Sequence, residues 1–247
     1  MSAVSLVGPL GARLRSLYDL IEAAQLQPLN RYDRIWDCCC DHGYLGIKIV
    51  EAELCEKLVF VDQVPHIIQW LDSKLEALPK ERFRLISGDA SDLVFDPKQR
   101  HLVILAGVSG STVTAIMAAI LNAYAGDSID FLLCPTHGVF EVREYLIEER
   151  VSLMDEWIVS EKGRHYEVIH IRAGAEIDVE VKVSSVGKMW NVNNQEHEAY
   201  LKKNIAHYKR AEQGDDAVRS KRILEEYRGI HSIIFSPTVV ETLSKGQ

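Results

Sequence analysis

The chain of 247 residues sets 28 Lys+Arg against 36 Asp+Glu, a formal charge of −8 at pH 7, and 47% of it is hydrophobic. That apolar fraction excludes a disordered tail or a collagen-like rod, and the length fits one α/β domain with an appendage or two small domains. Net acidity argues against a whole-surface grip on nucleic acid, so any such binding needs a locally basic patch.

Leu10, Leu14, Leu17, Leu20 and Ile21 advance at helical spacing and predict a first amphipathic helix carrying Arg13. Five apolar runs rich in β-branched residues follow, at 33–37, 57–62, 83–86, 101–105 and 129–133. Their apolarity is continuous rather than alternating, which suits parallel strands buried on both faces. Helical patterns separate them, among them 64–78, with Pro65 in its first turn. The β-α-β-α order predicts a doubly wound, Rossmann-like α/β sheet. After a helix at 141–149, strands at 153–159 and 166–172 bracket Glu161-Lys162-Gly163-Arg164 and form a hairpin, so the sheet ends with an antiparallel strand. A polar strand-like stretch at 177–183 leads into two helical patterns broken at Gly214-Asp215-Asp216. Leu201, Ile205 and Tyr208 on one, and Leu224, Tyr227, Ile230 and Ile234 on the other, predict an antiparallel helical hairpin or coiled coil. The expected division is a domain at 1–174 and an appendage at 175–247.

Met1-Ser2-Ala3-Val4 lacks the basic and apolar regions of a signal peptide, and neither end holds a membrane-length apolar run. A soluble cytoplasmic protein without a membrane partner is expected. Cys38, Cys39 and Cys40 are adjacent, Cys55 and Cys134 lie apart, and no Cys-x-x-Cys pair occurs, so no metal site is expected.

Chemistry concentrates at the strand ends. The loop Asp37-Cys38-Cys39-Cys40-Asp41-His42-Gly43-Tyr44-Leu45 follows the first strand, where small residues let backbone N–H groups approach a ligand. Cys39 replaces the central glycine of a dinucleotide fingerprint, which disfavours pyrophosphate and a nicotinamide enzyme. Asp62 closes the second strand, where a carboxylate can accept ribose hydroxyls. Asp89, in Ser87-Gly88-Asp89-Ala90, follows the third and can receive an adenine amino group. Acids at three successive strand ends fit a cationic adenosine cofactor such as S-adenosylmethionine better than a triphosphate. Each acid taken singly also fits a helix cap. Ala106-Gly107-Val108-Ser109-Gly110 and Cys134-Pro135-Thr136-His137-Gly138 leave room for a flat base beside the sulfonium, or serve as plain turns.

These residues carry a resemblance to the bacterial tRNA (adenine-22-N1)-methyltransferase family of class I S-adenosylmethionine enzymes, over roughly residues 10–174 and more weakly through the helical hairpin. The matching elements are Leu10-Gly11-x-Arg13-Leu14, Asp37-x-x-x-Asp41-His42-x-Tyr44-Leu45 and Ala106-Gly107-x-x-Gly110. The turn at Pro135 with Arg143-Glu144-Tyr145-Leu146, and Lys162-Gly163-x-x-Tyr166-Glu167-Val168, also match. The family usually has glycine where Cys39 and Ser109 stand, and asparagine where Thr136 stands. Cys39 fits the loop if its φ is negative; a left-handed backbone there is strained.

The resemblance implies transfer of a methyl group to adenine N1, an in-line displacement that needs positioning and stabilisation of the emerging cation more than a strong base. Asp41 is the candidate carboxylate, or it orients the cofactor's amino group, with Pro135 and Thr136 beside the target base. The cofactor set is Arg13, for the cofactor carboxylate or else a surface acid, with Asp37, Cys39, Asp41, His42, Gly43, Tyr44 and Leu45 from the first loop. Asp62, Gly88, Asp89, Ala90, Ala106 and Gly107 complete it. N1 lies on the Watson–Crick edge, so the base must be exposed or flipped, with Tyr44 as a stacking partner and Trp36 a core residue. Eight basic residues at 194–234 (Lys202, Lys203, Lys209, Arg210, Arg219, Lys221, Arg222 and Arg228) stand among seven acids. They either track tRNA phosphates or decorate a solvated helical face. Competing readings are the same fold with another substrate, from Ser109 and Thr136, and a cofactor- or RNA-binding module with little activity, from Cys39.

Overall fold

The computed structural model describes residues 5–28, 31–174, 182–214 and 216–235. The chain divides into two compact units, Met1–Val183 and Ser184–Gln247. Most of the strand-like stretch at 177–183 lies outside the described residues; Lys182 makes an isolated antiparallel bridge to Ser152.

In the first unit, α1 (Ala12–Gln25) precedes β1 (Arg34–Cys38), α2 (Tyr44–Glu51), β2 (Lys57–Asp62), α3 (Pro65–Lys74) and β3 (Phe83–Ser87). Then come β4 (His101–Ala106), α4 (Gly110–Ala123), β5 (Ile129–Cys134), α5 (Val139–Glu148), β6 (Ser152–Glu161) and β7 (Arg164–Ala173). The helix expected at 64–78 spans Pro65–Lys74; it is capped at Leu75, and the chain leaves through a turn in which Leu78 N donates to Leu75 O at 2.9 Å, with Pro79 keeping Leu78 out of helical backbone.

The strands form one seven-stranded sheet in the order β3-β2-β1-β4-β5-β7-β6. β1 to β5 are parallel, and β7 is antiparallel to both β5 and β6. The antiparallel strand is therefore last in the chain but not last in the sheet. It sits inside, and β6 returns parallel as the edge. The turn joining them has positive φ at both Lys162 (50°) and Gly163 (74°), the two-residue hairpin geometry whose twist matches the strands.

Successive residues of each strand point to opposite faces, and two apolar clusters result. Trp36, Val59, Val103 and Phe131 pack with Val113, Met117 and Ile120 of α4 and Val142 and Leu146 of α5. Ile35, Phe60, Ile104 and Leu132 pack with Leu17 and Ile21 of α1, Ile47 of α2 and Leu71 of α3. Burial on both faces is what makes these strands read as unbroken apolar runs. Trp36 is a core residue, its Nε1 donating to His101 Nδ1 at 3.2 Å.

The second unit contains α6 (Gln195–Ala211) and α7 (Ala217–Ile234), packed as an antiparallel pair. Tyr208 stacks on Tyr227 with ring centroids 5.8 Å apart, and Leu201, Ile223 and Leu224 are buried. Asn194 caps α6 by accepting from Glu196 N at 3.0 Å. Among the described residues, no helix is long and apolar enough to cross a membrane.

Candidate active site

The strand order reverses between β1 and β4, and an open parallel sheet leaves a crevice where neighbouring strands send their helices to opposite faces. A cleft of about 230 Å³ opens there. Asp37, Cys39, Asp41, His42 and Gly43 line it from the loop after β1, with Tyr44 and Leu45 from the first turn of α2. Ala106 and Gly107 close it from the end of β4, and Arg13 reaches in from α1. Leu14 and Cys40 also line it and were not in the expected set. Leu14 carried a signal as part of the Leu10-Gly11-x-Arg13-Leu14 element, and Cys40 only its place in the three-cysteine run.

Asp37 is nearly buried, and its Oδ2 accepts from Gly46 N at 3.1 Å. Only glycine permits that approach, since a Cβ at position 46 would stand 2.8 Å from the carboxylate and 2.4 Å from the Phe60 ring. Burial, with the charge of Asp62 adding to it against the Gly46 hydrogen bond, pushes the Asp37 carboxyl up to about 7. The loop that follows is tightly coiled: Cys39, Asp41 and Gly43 have φ of 53°, 48° and 59°. Cys39 thus takes the left-handed backbone that is strained for a residue with a Cβ. Asp62 receives the Asp41 N–H on Oδ2 at 3.1 Å and the Val64 N–H on Oδ1 at 3.0 Å, and that anchoring pulls the loop into left-handed turns. Burial raises the Cys39 thiol to about 11, so it stays protonated near neutrality. Asp41 Oδ1 lies 2.8 Å from His42 Nδ1, and the His42 ring stands 5.5 Å from Tyr44 and 5.3 Å from Trp70.

The remaining expected residues flank the cleft without lining it. Asp62 sits under the loop as described. Asp89 caps the short turn Ala90–Asp92 through Ser91 N at 2.8 Å and accepts from Gln63 Nε2 at 2.8 Å; Gly88 and Ala90 stand on either side of it. Pro135 is buried, and Thr136 is exposed with its N–H and hydroxyl both directed at Val108 O, at 2.8 and 3.1 Å. Gly107 N donates to Cys134 O at 3.0 Å, so this turn adjoins the cleft wall. Ser109 is the N-cap of α4, accepting from Thr112 N at 3.1 Å, so its hydroxyl serves the helix.

Charge is segregated in the cleft. Asp41 supplies negative charge on one wall, joined by Asp37 as it ionises around pH 7, and on the other the Arg13 Nη1 is buried without a hydrogen-bond partner among the described residues. Among the described residues, Arg13 makes no side-chain ion pair with an acid. An orphaned buried guanidinium nitrogen calls for an acceptor, and a zwitterionic amino-acid group, carboxylate toward Arg13 and ammonium toward the acids, satisfies both walls.

The model of a methyltransferase domain matches residues 11–169, from the turn before Arg13 to the inner strand β7. The chain belongs to the methyltransferase-domain family. Solved structures share this methyltransferase's fold. TrmK of M. capricolum, in complex with S-adenosyl-homocysteine, is 18% identical with a TM-score of 0.67, covering 91% of this chain and 97% of its own. The B. subtilis M1A22 tRNA methyltransferase TrmK is 20% identical at 0.66, covering 92% and 97%. Streptococcus pneumoniae Sp1610, in complex with S-adenosyl-L-methionine, is 19% identical at 0.66, covering 89% and 99%. No curated protein matches the sequence of the methyltransferase.

Proposed function

We propose that this methyltransferase transfers the methyl group of S-adenosyl-L-methionine to N1 of an adenine in tRNA, in the cytoplasm. One observation carries the reading. The likeness to a protein holding S-adenosyl-homocysteine and to a tRNA M1A22 methyltransferase runs past residue 169 to cover about nine-tenths of this chain, so it takes in the C-terminal helices as well as the sheet.

The cofactor supplies an electrophilic methyl group on a sulfonium. Arg13 binds its carboxylate, and Asp37 faces its ammonium. Asp62 accepts the ribose hydroxyls through the lone pairs that its two backbone donors leave free. Asp89 receives the adenine amino group, and Gly88, Ala90, Ala106 and Gly107 leave space for flat groups. The turns of Cys39, Gly43, Tyr44 and Leu45 wrap the aminoacyl arm. Adenine N1 owns an in-plane lone pair, so no base has to remove a proton before attack. Asp41, held by His42, offers negative charge where positive charge emerges. Thr136 spends its hydroxyl proton on Val108 O and retains only acceptor capacity, which suits the 6-amino group of adenine above Pro135. The eight basic residues of α6 and α7 track tRNA phosphates.

Mass analysis of nucleosides in tRNA from a strain lacking the gene tests this. Loss of N1-methyladenosine, restored by the gene, is the expected result, and an unchanged profile overturns the reading. A different acceptor base is the second reading, favoured by Thr136, and would show as loss of another methylated nucleoside.

A further inference from the structure

We propose that Tyr166 on β7 is a positioning residue that holds the Arg13 guanidinium ready for the carboxylate of the cofactor, with Glu161 fixing the backbone of the same turn. The inference rests on the reading of the cleft as an S-adenosyl-L-methionine site. Arg13 lies in the first turn of α1, where a helix is only half secured by its own hydrogen bonds. The end of the β6–β7 hairpin grips that turn at three points. Glu161 Oε1 accepts from the Arg13 backbone N–H at 3.3 Å, and Trp157 Nε1 donates to Ser16 Oγ. The Tyr166 ring lies under the guanidinium, with Arg13 Cζ 5.2 Å from its centroid.

The fit is close on both sides of the arginine. At Gly11, just before α1, a Cβ would stand 2.1 Å from Glu161 Oε1, so the carboxylate occupies the space a side chain would need. Gly107, with φ +88°, is the opposite wall, and a Cβ there would lie 3.2 Å from Arg13 Nη1. The guanidinium is thus held between an aromatic face and a bare backbone, next to the Cys134 thiol, whose upward shift from burial it opposes. Stacking occupies the flat face of a guanidinium and leaves its N–H edges available; the Cys134 thiol takes part of them here, and a carboxylate is recognised by what remains. The unpartnered Nη1 is such an edge. A free arginine carries substantial rotamer entropy, so holding it in place before the ligand arrives removes part of the cost of binding.

Calorimetry with two ligands tests the role. S-adenosyl-homocysteine carries the carboxylate, and S-adenosyl-3-thiopropylamine is the same molecule without it. Tyr166→Phe keeps the ring face and should bind both as the wild type does. Tyr166→Leu keeps the bulk but loses the ring, and should bind the first roughly fivefold to tenfold more weakly with the second unchanged. Equal affinity of the Leu variant for S-adenosyl-homocysteine, or an equal loss for both ligands, overturns the positioning role while leaving the cofactor reading intact. A wild-type protein that binds neither ligand overturns the cofactor reading and this inference with it.

Discussion

Cys39 holds a left-handed φ of 53° in the middle of the loop after β1, a conformation in which a Cβ crowds the backbone. Its thiol is inert near neutrality and lines the cleft, so the cost falls on the loop itself. Cys39→Gly should raise stability by up to about 1 kcal/mol in urea unfolding, because relief of the strain slightly exceeds the extra entropy glycine gives the unfolded chain. Asp37, two residues earlier, governs a pH dependence. A free aspartate titrates near 4, whereas the folded chain keeps the Asp37 proton up to about 7. Between those values the folded state binds more protons than the unfolded one. The contribution of Asp37 is then fully present below about pH 4 and is lost as pH rises to 7, by no more than about 4 kcal/mol. Asp37→Asn should flatten the stability curve across that window, measured by urea unfolding at stepped pH, and a retained wild-type slope would assign the effect to another group. A cationic ligand favours the ionised carboxylate, so affinity for S-adenosyl-homocysteine should climb through pH 7 in the wild type and not in the Asn variant.

At the scale of elements, α5 is joined to the β6–β7 hairpin by charge inside the core. Arg143 is fully buried, with Nη1 2.7 Å from Glu156 of β6 and Nη2 2.7 Å from Glu167 of β7. Both carboxylates are at least nine-tenths buried, and their charges hold the Arg143 guanidinium above its usual range despite burial. Removing the cation strands two acids in a low dielectric. Arg143→Met should therefore cost roughly 3 to 5 kcal/mol in urea unfolding despite similar bulk, and a cost below about 1 kcal/mol would show the triad to be solvated. This triad also shows why some of the fold could not be read ahead. Arg143 was legible as part of a motif, but its two partners lie 13 and 24 residues away on strands whose pairing is nonlocal. β1 to β5 were legible because burial on both faces leaves an apolar run in one segment. The insertion of β7 between β5 and β6 leaves no local mark. The cleft residues from Asp37 to Leu45 share one short stretch, from the end of β1 to the first turn of α2, and could be grouped from the chain alone. Tyr166 and Glu161 meet Arg13 only through the packing of the hairpin end on α1.

For the whole molecule, the charge of −8 sets the terms on which RNA can be held. Seven of the eight basic residues of α6 and α7 are exposed and Arg219 is half-buried, but acids on the same helices offset them. Lys202 pairs with Glu198 at 2.6 Å, and Arg219 lies 3.9 Å from Asp216. A molecule with an excess of acids gains no long-range attraction for a polyanion, so the grip has to come from cations placed within a Debye length of individual phosphates, about 8 Å at physiological salt. Each cation that meets a phosphate releases counterions and adds about one to the slope of log affinity against log salt. Lys203, Lys209 and Arg210 are exposed and make no ion pair with an acid among the described residues, so they are the cations most available to phosphate. The triple variant Lys203→Ala, Lys209→Ala and Arg210→Ala should bind tRNA more weakly at every salt concentration, with a slope shallower by about three units. Its affinity for S-adenosyl-homocysteine should be unchanged, since none of the three residues lines the cleft. Filter binding across a salt series checks both statements, and a slope equal to that of the wild type would move the RNA contact off α6.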